Sequence, residues 1–509
     1  MKSGRSLSAS LCLLLAACSQ PLPGKQSEQP MFSEQDMMQT SLGQVVARQS
    51  QAHPGTSGIL PLADAMDAFS ARVFLARMAE QSLDVQYYIW RKDITGTLLL
   101  HELYQAAERG VRVRLLLDDN GISGMDDWLA LLNEHPNMEV RLFNPFHFRS
   151  LRLLGFITDF SRANRRMHNK SFTADQSFTI SGGRNVGDEY FAAADGLLFA
   201  DLDVIAAGPA ARDTSLDFDR YWNSQSAWPV DRLFQRRRSR QTLSDQVTRL
   251  LDSQAAEGYT RVLMESGFRE RLLSGDMVLD WVPTRLVSDN PAKGLGLVSD
   301  SELMIRSLLR LLGQPQRQLD LVSPYFVPTR AGVEVFSQLT AQGIQVRILT
   351  NALEATDVVP VHSGYARHRK ALLEAGVQLY EMQRNPVQPE TGRSGLFGSS
   401  GSSLHAKTFA VDGQRVFIGS FNFDPRSANL NTELGFVIHS PDLAEAADRM
   451  FSEQIPQTAY EVKLDDQGRI YWLQPTAQGP IMHRTEPHTS WLRRAAVRLL
   501  SWLPIEWLL

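Results

Sequence analysis

Cysteine is almost missing from this sequence: 509 residues hold two, Cys12 and Cys18. Long apolar runs are missing as well. The run near the start, Leu7 to Ala17, is too short to cross a bilayer comfortably. Nor is there an excess of positive charge, because 52 Lys and Arg stand against 56 Asp and Glu, a formal net charge of −4. A general polyanion binder would show a basic domain or stripe, so nucleic acid is not expected as a partner. Any anionic substrate must be met by local positive charge.

With 43% hydrophobic and 21% charged residues the chain is globular, and its length suits two or three domains. Residues 1–18 read as a targeting segment. Lys2 and Arg5 precede the apolar run, and Leu15-Ala-Ala-Cys18 resembles a bacterial lipobox, after which Cys18 would be lipidated. On that reading Cys12 leaves with the signal, and neither a disulfide nor a thiolate metal site remains. The other reading is a disordered N-terminus on a cytoplasmic protein. Residues 19–58, rich in Gln, Ser, Pro and Gly, are expected to be a flexible, solvated tether.

What the sequence does have is a repeated motif. His405-Ala-Lys407 leads to a turn at Asp412-Gly413 and on to Gly419-Ser420-Phe-Asn422. His168-Asn-Lys170 leads with the same spacing to Asp175 and to Gly182-Gly183-Arg184-Asn185. In a strand, side chains two apart share a face, so each copy converges an imidazole and an ammonium on one spot. That pair suits a phosphate diester. The surroundings repeat too: Leu83 recurs as Leu319, Gly110 as Gly343 and His168 as His405, at nearly constant separation, which marks an internal duplication.

The doubled H-x-K-x4-D motif, with its trailing Gly and Asn, resembles the paired signature of the phospholipase D superfamily. Leu83-Asp-Val-Gln-Tyr-Tyr-Ile-Trp90, Leu115-Leu-Leu-Asp-Asp-Asn120, Tyr325-Phe-Val-Pro-Thr-Arg330 and Gly419-Ser-Phe-Asn-Phe-Asp-Pro-Arg426 narrow the likeness to the bacterial cardiolipin synthases, in particular their C branch. The likeness spans roughly Leu60 to Leu509. It implies phospholipid substrates, a bacterial membrane as the place of work and a transferase activity; an accessory protein is left open. With the lipobox it implies a lipoprotein of the cell envelope facing the periplasm, on either membrane.

Helical spacing around Ala65–Ala79, a buried strand at Leu83–Trp90, a helix at Leu98–Ala107 and a strand at Val111–Leu117 predict alternating elements. The order returns at Glu302–Leu312, Leu319–Val322, Val333–Leu339 and Ile344–Leu349, so the fold class is α/β. By resemblance, two α/β/α sandwich domains, residues 59–225 and 296–460, pack as a pseudo-two-fold pair around one shared active site. Residues 226–295 are expected to be an irregular insert. Its basic run Arg236–Arg240 reads as a solvated loop or as a contact for anionic headgroups. Residues 461–509 form an extension ending in Trp491–Leu509, where Arg493, Arg494 and Arg498 lie among leucines and tryptophans; it reads as an interfacial helix or as one docked on the core.

Phosphodiester transfer needs a nucleophile, an acid for the leaving oxygen, and positive charge at the equatorial oxygens. The resemblance implies His168 as nucleophile and His405 as general acid and base, although the symmetry of the motifs also permits the reverse. Lys170 and Lys407 would hold nonbridging oxygens, with Asn185 and Asn422 adding hydrogen bonds. Asp175 and Asp412 complete the motifs, and their place at a strand end reads as a turn role. Glu189 and Glu433, close behind the motif asparagines, are the candidates for orienting the imidazoles. Gly182 and Gly183 in one copy, Gly419 and Ser420 in the other, would let the backbone approach phosphate. Arg184 would touch lipid phosphate or pair on the surface. The histidines lack metal-ligand spacing, so neither a metal nor another cofactor is expected. The leading function is transfer of a phosphatidyl group from phosphatidylglycerol or phosphatidylethanolamine to phosphatidylglycerol. A phospholipase D or nuclease releasing its intermediate to water is the alternative within enzymes, and a noncatalytic lipid-binding scaffold the one outside them.

Overall fold

Alternation along the strand Ser82–Ile89 sets the architecture. The computed structural model describes residues 32–193, 198–234, 243–251, 259, 278–384 and 403–509. There Leu83, Val85 and Tyr87 enter an apolar core with Leu115, Leu117, Val140, Phe69 and Leu103. Asp84, on the opposite face, meets Arg114 through two hydrogen bonds of 2.7 and 2.9 Å. Leu116, out of phase with Leu115 and Leu117, joins a separate cluster with Phe143, Met167, Phe218 and Trp222. Both faces are therefore covered, as a sheet layered between other elements requires.

The strands are β1 (Ser57–Leu62), β2 (Ser82–Ile89), β3 (Arg112–Gly121), β4 (Met138–Phe143), β5 (Ser171–Ala174), β6 (Phe178–Gly182), β7 (Phe199–Ala200), β8 (Asp203–Ala207), β9 (Ala227–Pro229) and β10 (Asp280–Val282). The second half continues with β11 (Thr284–Ser288), β12 (Gln318–Val322), β13 (Gln345–Asn351), β14 (Gln378–Met382), β15 (Ser403–Leu404), β16 (Thr408–Val411), β17 (Arg415–Gly419), β18 (Leu434–Ile438), β19 (Ala459–Leu464), β20 (Ile470–Gln474) and β21 (Ile481–His483). One sheet has the order β10-β1-β8-β6-β5-β2-β3-β4-β9, the other β11-β18-β17-β16-β12-β13-β14-β19-β20-β21. From β1 to β9 and from β11 to β19 the orders superpose strand for strand. In each, three parallel strands are flanked by antiparallel ones. The duplication reaches buried charge: Asp320 and Arg347 pair at 2.6 and 2.7 Å where Asp84 and Arg114 do in the first half.

Helices Ala65–Met78 and Ile94–Glu108 pack on the first sheet, and Val359–Glu374 and Pro441–Arg449 on the second. The halves share one core, in which Val204 and Ala206 of β8 meet Val416 and Ile418 of β17 and Phe436 of β18. They also exchange backbone bonds. β7 and β15 pair in parallel, and Met167 bridges Thr432.

Three expected boundaries are corrected. Residues 33–58 are not a flexible tether: helices Glu34–Gln39 and Ser41–Ser50 start at the side-chain caps Ser33 and Thr40, and Leu42 and Val45 lie in the first core. The polar composition had hidden caps and an apolar pair three residues apart. The insert at 226–295 supplies sheet edges at both ends, since β9 pairs with β4, β10 with β1 and β11 with β18, so the halves divide at Pro283. Residues 461–509 begin as β19 to β21, which widen the second sheet, before the helix Trp491–Ser501. Residues 1–31 with Cys18, and Arg236–Arg240, lie outside the described residues. Among the described residues no helix is long and apolar enough to cross a membrane.

Candidate active site

Each H-x-K segment lies in extended chain just before a strand, β5 or β16, rather than within it. Each is stitched to the opposite half: His168 N donates to Thr432 O at 2.9 Å, and His405 N to Ala200 O at 2.8 Å. This crossing brings the two motifs together. Both histidines and both lysines are buried, and each lysine donates to the carbonyl of its own histidine, Lys170 at 2.6 Å and Lys407 likewise.

The carboxylates cross too. Glu433 Oε2 sits 2.8 Å from His168 Nδ1, and Asp201 Oδ2 sits 2.6 Å from His405 Nδ1. Each imidazole is thus held by an acid of the other half, with Nδ1–H donating and Nε2 left for chemistry. Glu433 lies where an orienting acid would sit. Glu189 does not: it lies on the turn Asp188–Tyr190 with its carboxylate 3.4 Å from Arg91, away from either histidine. Asp201 takes its place because the loop after Asn185 is longer than the one after Asn422. The equivalence is visible in the backbone, where Gly183 N donates to Leu202 O and Ser420 N to Leu434 O. Asp201-Leu202 and Glu433-Leu434 are the same acid-leucine step at the start of a strand, a signal the sequence carries.

Small residues make room for these acids. A Cβ on Gly183 would lie 2.0 Å from Asp201 Oδ1, and one on Gly182 2.3 Å from Asp203 Oδ1. A Cβ on Gly419 would meet Leu434 O at 2.5 Å. Ser420, expected near phosphate, instead donates to Glu433 Oε2 and accepts from Leu434 N at 3.0 Å. Arg184 is fully buried and touches neither solvent nor the histidines. It donates to Leu62 O, Ala63 O and Asp201 O and so fixes the loop that presents Asp201.

The motif asparagines diverge. Both ends of the Asn185 amide are engaged, Oδ1 by Ile89 N at 3.2 Å and Nδ2 by Tyr190 Oη at 3.1 Å, which is a structural pin rather than the expected phosphate contact. Asn422 is buried, its Oδ1 is unpartnered among the described residues, and only its Nδ2 could donate to a phosphate oxygen, so it remains a candidate through that group. Asp175 and Asp412 are hairpin anchors. The Asp175 carboxylate accepts from the backbone of Glu80, Gln81 and Ser82 at 3.0, 2.9 and 2.9 Å. Asp412 does the same for Gln316, Arg317 and Gln318 at 3.0, 2.8 and 3.1 Å. Both sit at positive φ, and so do Gln176 and Gly413 behind them, the geometry of a tight hairpin turn. Aromatic walls complete the site: Tyr88 stands edge-on to His168 at 5.1 Å, and Tyr190 and Phe199 flank His405 at 5.3 and 5.0 Å. Sequence reasoning missed these walls, although Tyr88 lies in phase with Asp84 on β2.

Burial in this cluster of cations decides protonation. It pushes Lys170 down to about 7 and Lys407 down to about 8. His168 is driven well below its usual range by burial and then by Lys170 and Lys407. His405 is lowered by burial and Lys407 but supported by Asp201. Burial opposes ionisation of Asp201, yet His405, Lys407 and Arg184 outweigh it and hold this carboxyl below its usual range. Glu433 goes the other way, pushed up to about 7 by burial. The two dyads are therefore unequal: His405 faces a firm anion, whereas His168 is poised neutral. Among the described residues no group of three or more His, Cys, Asp or Glu could hold a metal ion.

Residues 75–222 and 308–455 both match the family described as cardiolipin synthase, PLD-like domain. The chain is 50% identical over 459 residues to cardiolipin synthase C of Escherichia coli (strain K12), covering 90% of this chain and 97% of that one. It is 25% identical to cardiolipin synthase 2 of Staphylococcus epidermidis (strain ATCC 12228), over 74% of this chain and 63% of the relative. Among solved structures, phosphatidylserine synthase of Haemophilus influenzae superposes with a TM-score of 0.51 at 16% identity, over 82% of this chain and 92% of that one, a likeness of fold. The doubled sheet, the crossed histidine-carboxylate dyads and these matches agree: the chain belongs to the cardiolipin synthases built from paired phospholipase D-like domains.

Proposed function

We propose that this enzyme transfers a phosphatidyl group to phosphatidylglycerol through a phosphohistidine. The observation that carries the mechanism is the pair of crossed dyads: both Nδ1 atoms are held by carboxylates, so both Nε2 atoms are available beside two buried ammonium groups. Neutral His168 attacks phosphorus through Nε2. The bond to the donor's headgroup oxygen breaks, and His405 gives that oxygen a proton. His405 then takes the proton of the phosphatidylglycerol hydroxyl, which attacks the phosphohistidine, forms cardiolipin and frees His168. Lys170, Lys407 and Asn422 hold the nonbridging oxygens, and the anionic phosphoryl group restores the full charge of the two lysines. The unequal dyads support His168 as nucleophile and His405 as acid and base. Transfer requires that water lose to a lipid alcohol, which the apolar aromatic walls favour. The protein works at the bacterial membrane, and lipidation at Cys18 with a periplasmic orientation is part of this proposal.

The test is a lipid-product assay on vesicles of labelled phosphatidylglycerol, with and without phosphatidylethanolamine. Cardiolipin with release of the donor headgroup is expected, and its dependence on phosphatidylethanolamine names the donor. His168→Ala and His405→Ala should each abolish turnover while lipid binding persists. Phosphatidic acid as the sole product would replace transfer by hydrolysis, and undiminished cardiolipin formation in either variant would refute the mechanism.

A further inference from the structure

Among the described residues, many of the exposed large apolar side chains fall in two segments. Leu151, Leu154, Ile157 and Phe160 recur every third residue along 151–160, through the helices Arg152–Thr158 and Phe160–Ala163, and they are 62, 42, 72 and 42% exposed. Toward the C-terminus, Trp491, Leu492, Leu499, Trp502 and Trp507 are 69, 61, 61, 75 and 57% exposed. The helix Trp491–Ser501 docks on Val359–Glu374 with Val497 buried and turns these side chains outward. Of nine tryptophans in the sequence, the exposed ones are Trp491, Trp502 and Trp507.

The two segments meet. Phe160 packs edge-on to Trp507 at 6.4 Å. Arg426 ties the junction together, donating to Asn164 Oδ1 at 2.7 Å and to Leu508 O at 3.0 Å, while its backbone N donates to Leu509 O at 2.8 Å. The junction adjoins the reaction site from both halves, because Asn164 leads into Met167 and His168, and Arg426, in the short helix Pro425–Asn429, closely follows Asn422. An exposed apolar patch assembled from segments far apart in the chain, beside the catalytic cleft, marks an interaction surface.

We propose that this patch is one composite docking face for a phospholipid bilayer, and that it sets the cleft against the membrane surface. Mixed Trp and Leu suit the headgroup boundary, and exposed Arg498 on the same helix is placed for anionic lipid. The face rests on the phosphatidyl-transfer reading in one respect, that the substrate lies in the bilayer. Docking by the tail alone would leave Leu154 and Ile157 in water; the composite face places them in lipid.

The experiment mixes the full chain with vesicles of phosphatidylglycerol and phosphatidylethanolamine bearing bromine on the acyl chains, which quench the emission of tryptophans that reach them. Quenching is expected in the parent protein. Leu154→Glu with Ile157→Glu should weaken it and lower turnover on vesicles about tenfold, the factor that ~1.4 kcal/mol of lost docking gives. Turnover of a short-chain phosphatidylglycerol dispersed as monomers should not change. Ile157→Trp should strengthen quenching, a gain that a folding defect cannot produce. Absence of quenching, or quenching and vesicle turnover that ignore the double substitution, would overturn the proposal. So would a double variant that turns a dimer into a monomer without altering quenching, because the face would then bind a second copy. If the parent protein turns over neither vesicles nor monomers, the transfer reading fails, and quenching alone judges the face.

Discussion

At His405 the carboxylate of Asp201 does two things: it selects the tautomer with hydrogen on Nδ1, and it stabilises the imidazolium that forms when the ring takes a proton. Glu433 fixes His168 in the same way but, pushed up to about 7, is itself partly neutral near neutral pH. Glutamine resembles that neutral form, whereas asparagine cannot replace the anion at 201. Asp201→Asn should therefore lower kcat by ~100-fold or more, with little change in KM, and Glu433→Gln should cost much less. The sign of the pH effect follows. Asp201 raises the His405 pKa against burial and Lys407, so its loss lets His405 deprotonate at lower pH and moves the alkaline limb of the kcat profile toward acid. Profiles of kcat against pH for both variants check this. An alkaline shift in Asp201→Asn, or equal losses in the two variants, would remove the asymmetry from the mechanism.

Among the elements, the hairpins that carry the motifs show what could be read from sequence and what could not. The spacing of His168 and Lys170, and of His405 and Lys407, holds because extended chain alternates faces, so both pairs were legible. The partner of His405 was missed, since Asp201 lies beyond a loop of different length; the acid-leucine step shared with Glu433-Leu434 is its trace in the sequence, and the pairing of Gly183 with Leu202 fixes its register. Helix Ser41–Ser50 escaped notice because its burial rests on Leu42 and Val45 amid polar residues. The motif aspartates were legible as turn residues, and the structure adds what they bind. Asp175 is buried and receives three backbone N–H groups that begin β2, whereas Asp412 does the same for β12 nearer to solvent. Asp175→Ala should destabilise the fold by about 2–3 kcal/mol, and Asp412→Ala by less. Urea unfolding measures both, and kcat of the folded fraction should stay near that of the parent. A large loss of kcat with unchanged stability would instead give these aspartates a chemical role.

For the whole molecule, the duplication and the active site impose opposite demands. Each half has its own sheet and much of its own core, which favours independent folding, yet no half contains a complete dyad: His168 relies on Glu433 and His405 on Asp201. Val204 and Ala206 also face Val416, Ile418 and Phe436 across the junction, so either half alone would expose apolar surface that only the other covers. Among the described residues, the connection adds Val247 and Tyr259 to the first core and β10 and β11 to the edges of the two sheets, but neither dyad. A chain opened between Leu251 and Val278 keeps both dyads and the shared core. Made together, the two fragments should copurify and form cardiolipin at a rate within about tenfold of the intact enzyme, because the shared core aligns the dyads without the covalent link. Made separately, each should be inactive and prone to aggregate. Pairing a first fragment that carries His168→Ala with a normal second fragment should also be inactive, since one site draws on both. Turnover by a single fragment would mean that one motif copy can dimerise with itself into a working site, and the unequal dyads would then be dispensable.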